Sequence, residues 1–224
     1  MDRDVTDQPV ARADMYSFLA ALFLQEPDAQ TLPGQLQALQ LARHYAPASQ
    51  TAVLADIRQE YYDCFFVPMS AKYTPPFESA LSASTGPGRF GALASPEARE
   101  AANLYEAAGF DPQALHSFAP LKETALPDHV GFELAFMAYL CLQESRSAER
   151  GESDAARRWA EWQMRFLSGH LNGWLPKLAA ELAQRQAEFY AAAAALAAGW
   201  TAAAFAELAA RYEGRADNGG RETL

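Results

Sequence analysis

Residues 127 to 133, Pro-Asp-His-Val-Gly-Phe-Glu, set a carboxylate beside an imidazole, with a second carboxylate four residues on. Asp128, His129 and Glu133, with His170 further along, are donors of the kinds that hold a divalent metal or move a proton. One reading of the chain is therefore a helical metal-dependent hydrolase using Asp128, His129 and Glu133. The spacing argues against it, because His-x-x-x-Glu is a weak pattern and adjacent Asp and His side chains rarely converge on one ion. Nucleophilic catalysis fares no better. Cys64 and Cys141 lie among apolar neighbours with no identifiable base, and no Gly-x-Ser-x-Gly turn exists. The stretch Gly-Pro-Gly-Arg-Phe-Gly at 86–91 lacks the strand and the lysine of a phosphate loop. The residues thus point to no catalytic residue, no bound metal and no cofactor.

What must position Asp128 and His129 is the apolar run behind them. Pro127 suits the start of a helix, where its fixed φ fits and its missing N–H goes unneeded. Asp128 can then accept the free N–H groups that follow, a cap worth about 0.5–2 kcal/mol over alanine. Val130, Leu134, Met137 and Cys141 form one stripe and Phe132, Phe136 and Leu140 a second, so this helix is expected at the centre of the fold. In the first turn the helix dipole disfavours a cationic His129, whereas Glu133 one turn on favours it.

Helical spacing recurs along the rest of the chain, and two-residue alternation is absent. Residues 14–25 place Met15, Phe18, Leu19, Leu22 and Phe23 on one side; Leu36 to Tyr45 and a segment ending before Pro68 follow. Ser95, Pro96 and Glu97 open a helix that Gly109 closes. Trp159, Trp162, Phe166 and Leu167 mark another helix, Pro176 a kink or a new start, and Ala-rich helix runs on to about Tyr212. Residues 67–94 fit no regular element and hold exposed-looking aromatics, Tyr73 and Phe77. Such a loop is either functional or a connector packed over the core. The fold class is all-α: one globular helical domain over 14–212, with flexible ends at 1–13 and 213–224.

The 224 residues carry a net charge of -10, which disfavours nucleic acid and favours a basic partner. No apolar leader opens the chain, and two distant cysteines suit a reducing compartment, so a cytoplasmic location is expected. Residues 189–206 are uncharged and long enough to span a bilayer, but they are mostly alanine interrupted by Gly199. They are read as a packed helix, with no stable membrane insertion.

Four stretches in order resemble the TorD/DmsD/NarJ family of redox-enzyme maturation chaperones. They are "EYYDCFFVPMSAKYTPPFESAL", "SPEAREAANLYEAAGF", "LPDHVGFELAFMAYL" and "FLSGHLNGWLPKL". The resemblance spans about Met15 to Tyr212, with Phe77 standing where tyrosine is common. It implies an all-helical chaperone, monomeric or homodimeric. Its partner would be the precursor of a molybdopterin-containing oxidoreductase, bound through the twin-arginine leader or another part. It also implies that Pro127, Asp128 and His129, with Pro76, Phe77, Glu78 and Ser79, border the client site. The residues agree with that reading. Two guanidinium groups followed by an apolar stretch need carboxylates and an apolar groove, and Asp128, Glu78 and Glu133 lie among apolar and aromatic residues.

Overall fold

In the computed structural model, which describes residues 3–42, 53–93, 95–124 and 126–219, helices account for nearly every element. The order is α1 (Arg3–Leu24), α2 (Leu32–Leu41), α3 (Val53–Phe65), α4 (Glu78–Ser82), α5 (Pro96–Ala108) and α6 (Ala119–Thr124). Then come α7 (Val130–Glu149), α8 (Ser153–Phe166), α9 (Asn172–Gln184) and α10 (Glu188–Gly219). There is no strand among the described residues, and the chain is an all-α single domain.

Helix α7 is the axis. Its two apolar stripes are buried together: Val130, Leu134, Met137, Cys141, Phe136 and Leu140 are all at 0% exposure. α1 covers one side of it and α8 another, and α10 packs along α9. A helix apolar on two faces can satisfy both only between neighbours, as the stripes require. Cys64 and Cys141 are buried free thiols, and burial pushes each up to about 12.

Several boundaries differ from the periodicity. α1 reaches back to Arg3, so the stretch read as a flexible start is helical where described. Arg12 and Ala13 are buried, because Arg12 turns inward to an ion pair with Glu144 at 2.7 Å. A hydrophobicity pattern cannot see an arginine used as an internal group. α2 begins at Leu32 and ends at Leu41; Tyr45, its expected end, lies outside the described residues. The tail expected from 213 is helical as far as Gly219. α5 starts at Pro96 and is closed by Gly109 in the left-handed region at φ 74°, as read, although the Ser95 hydroxyl donates to Glu97 and leaves the backbone uncapped.

Pro176 lies inside α9. The irregularity stands one turn earlier, where Leu167–Leu171 widens into a π turn joining α8 to α9. The Ala-rich run then breaks at Gln186, at φ 58°, before α10. The α10 break is capped from a distance: Glu60 Oε1 accepts the N–H groups of Phe189 and Tyr190, and Oε2 that of Glu188. Over Glu188–Arg211, α10 is long and apolar enough to cross a membrane by length and composition. Here its small side chains let α9 come close, and Ala193, Ala194 and Ala197 are fully buried.

Candidate functional site

The start of α7 and the loop before α4 are joined by backbone. Glu78 N–H donates to the Asp128 carbonyl at 3.0 Å, and Val130 N–H donates to Pro76 at 2.9 Å. These bonds form an isolated antiparallel bridge between Phe77 and His129. The Asp128 carboxylate completes the join, since its Oδ2 accepts the Ser79 N–H at 2.9 Å. Asp128 therefore caps α4 and not its own helix. Tyr105 of α5 fixes the turn from outside, its hydroxyl donating to the Pro127 carbonyl at 2.8 Å.

The cap of α7 is His129. Its backbone is extended, and its Nδ1 accepts the Gly131 N–H at 3.1 Å. That bond requires a neutral ring with its proton on Nε2. Burial lowers the imidazole to about 3, so it stays neutral in the working range. The expected stabilisation of a cation by Glu133 does not operate, because His129 sits ahead of the first turn and Glu133 faces elsewhere. The His129 ring meets Phe77 edge to face, with centroids 5.4 Å apart.

Glu133 is fully buried and accepts Trp174 Nε1–H at 3.0 Å. Burial, with the nearby Glu78 carboxyl as a further cause, holds its carboxyl well above the usual range. Glu78 Oε2 in turn lies 2.7 Å from His170 Nδ1. His170 is carried by the π turn, and its ring stacks on Phe166 at 4.5 Å. Glu78, Glu133 and His170 thus converge from three elements, with one donor atom of each within 4.8 Å of the others. Among these partners, His170 and Trp174 carry roles that spacing could not assign. A lone histidine in an apolar, Trp-containing stretch was the available signal.

Asp128, His129 and Glu133 do not converge on one point: their side chains turn to Ser79, Gly131 and Trp174 respectively. Asp128, Glu133, His129, Ser79 and Glu78 are all at 4% exposure or less, while Pro127 and Phe77 are half-buried. Pro76 is buried beneath them. The two halves of the sequence-predicted site are therefore brought together, with most of their polar groups turned inward.

The described part of the loop is tied to the end of α9. Arg185 donates to the Ala71 carbonyl and pairs with Glu181, and Glu181 accepts the Gly88 N–H at 2.8 Å. The guanidinium also lies over the Phe90 ring. Tyr73 and Phe77, which look exposed in sequence, are half-buried.

Beside this join, a cavity of about 370 Å³ opens between α1, α7 and the short turn after α5. Leu24, Phe110, Leu115, Ala135, Ala138 and Tyr139 are among the residues that line it, and Ser17, Gln25 and His116 add polar groups. Leu24 ties it to the capped end of α7, since a Cβ on Gly131 would come within 2.5 Å of Leu24 Cγ.

The chain is thus an all-α domain with a buried acid and histidine cluster where α4, α7 and the π turn meet, and a cavity between α1 and α7. The chain matches the nitrate reductase delta subunit family over residues 18–180, and it belongs to that family. Members of the family are molybdoenzyme maturation chaperones, soluble proteins that bind molybdoenzyme subunits and are not catalysts. No curated protein and no solved structure matches the chain significantly.

Proposed function

We propose that the chain is a cytoplasmic, system-specific chaperone for the precursor of a molybdopterin oxidoreductase. It binds the twin-arginine leader or another segment of the apo form, and delays export until the cofactor is inserted. The observation that carries this reading is the apolar cavity on the α1–α7 face, of a size to take several side chains of a peptide. Exposed carboxylates stand beside it in the chain: Asp111 follows Phe110, and Asp14 precedes Ser17 by one turn. They suit guanidinium groups flanking an apolar segment. Phe77 and Pro127, both half-buried, border the client in this reading, with Pro76 supporting them from beneath. Asp128, His129, Glu133, Glu78 and Ser79 hold the loop and α7 in register and do not touch the client.

The test is a pull-down with the full chain from its host, grown so that molybdoenzymes are made. Wild type recovers a molybdoenzyme precursor bearing a twin-arginine leader. Ala138→Trp, which fills the cavity, loses that precursor while keeping its far-UV spectrum and melting temperature. If no molybdoenzyme is recovered with candidate clients expressed, the client reading is wrong. If Ala138→Trp folds and binds as well as wild type, the cavity is not where the client sits.

A further inference from the structure

We propose that Glu78, Glu133 and His170 form a binding site for one divalent transition-metal ion, with Zn²⁺ the ion whose preferences the donors meet best. Their donor atoms lie within 4.8 Å of one another, and all three residues are buried. Two carboxylate oxygens and one imidazole nitrogen are a donor set that zinc accepts. Of the donors considered in the sequence, Glu133 and His170 belong to this trio and Asp128 and His129 do not, and Glu78 is new to it.

A second observation points to a ligand. Glu133 is at 0% exposure, and its Oε1 has no hydrogen-bond partner, although Oε2 takes the Trp174 N–H. A buried carboxylate oxygen left without a partner is costly, and such oxygens are commonly satisfied by a water or an ion. Two carboxyl groups held together out of water also need positive charge nearby, from a shared proton, from a protonated His170 at 2.7 Å from Glu78, or from a bound cation that takes the place of either. Here a cation would find its ligands already oriented. Trp174 fixes the Glu133 carboxylate, and the Phe166 ring stacked on His170 fixes the imidazole.

The three ligands come from α4, α7 and the π turn, so a bound ion would clamp the loop segment onto the core. The proposal is independent of the client reading, and its test uses no client.

The full-length protein, stripped with a chelator and then freed of it, is titrated with Zn²⁺ in competition with a chromophoric chelator. Uptake of a single ion per chain and a raised melting temperature are expected. Glu133→Gln keeps the acceptor for Trp174 and an amide able to donate to Glu78, so the fold survives while the bound ion is lost. His170→Asn should lose it too, and His116→Ala should not. Co²⁺ gives a second readout that needs no variant: d–d bands of nitrogen and oxygen ligation, without a thiolate charge-transfer band. The proposal is overturned if no ion binds in competition, if Glu133→Gln binds as well as wild type, or if a thiolate band assigns the ion to Cys64 or Cys141.

Discussion

The carboxylate of Asp128 caps the helix that begins at Glu78, accepting the Ser79 N–H at 2.9 Å across 49 residues of chain. The residue that reads as the start of α7 spends its side chain on another helix, and His129 takes over the cap at α7. The two motifs are thereby locked as one unit, and each predicts a separable effect.

Replacing Asp128 by alanine removes the α4 cap and leaves the α7 cap intact. The expected cost is about 0.5–2 kcal/mol, the range for loss of an N-cap. It should be localised: hydrogen exchange at Ser79 to Ser82 accelerates, whereas Leu134 to Leu140 stays protected. Uniform acceleration across α7 would show that Asp128 supports the core helix directly.

His129 makes stability depend on pH. Its folded value is about 3 against 6.5 for the free ring. Between those values the unfolded chain binds a proton that the folded chain refuses, so stability rises with pH. The contribution is fully present above about 6.5 and is lost as pH falls toward 3, by about 1.4 kcal/mol per unit where one proton is linked. Glu133 has the opposite sign, because its raised carboxyl favours folding on the acid side. His129→Asn retains a cap acceptor without the titration. Urea unfolding at pH 4.5 and 7 should show a shallower acid loss in that variant than in wild type.

Arg12 and Glu144 form a buried pair, with side-chain exposures of 4% and 6%. Arg211 and Gln163 also hold Glu144, each at 2.8 Å. Arg12→Met should destabilise by about 1–3 kcal/mol, less than a stranded buried charge, because Arg211 and Gln163 keep Glu144 partnered. Arg12→Met combined with Arg211→Met removes both cations from Glu144 and should cost more than the sum of the single changes in denaturant unfolding. An additive double variant would mean that the two arginines do not share Glu144 as a partner.

Gly131 has no room for a methyl group. A Cβ there would stand 2.5 Å from Leu24 Cγ and 2.6 Å from Cδ2, and Leu24 is buried. Gly131→Ala is expected to cost about 1–3 kcal/mol through overpacking. Leu24 also walls the cavity, so client binding should weaken beyond what the stability change explains. Leu24→Val in the same chain should restore part of both.

Much of the fold was legible because burial imposes period on sequence. The stripes of α7 follow from Val130, Leu134, Met137 and Cys141 at helical spacing, and Pro96 and Gly109 carry their positions in their own backbone preferences. The five-residue α4 was not legible. Its hydrogen bonds are completed by Asp128 and the Phe77–His129 bridge, which depend on residues far away in the chain. The inward course of Arg12 was hidden for the same reason, since its partners Glu144 and Glu207 lie 132 and 195 residues away.

The sequence by itself determined an all-α protein built round one doubly apolar helix, and it marked residues 76–79 and 127–133 as the places to look. The fold class rests on local preference and periodicity, which each short segment expresses alone; residues 127–133 stood out by their types, and residues 76–79 by resemblance to the chaperone family. Only the tertiary structure decided how the polar groups are used: Asp128 on α4, His129 as a neutral cap, and Glu133 joined to Glu78, His170 and Trp174. A buried polar side chain takes whichever partner the packing brings within about 3 Å. Residue type restricts that choice, and the arrangement of the helices makes it.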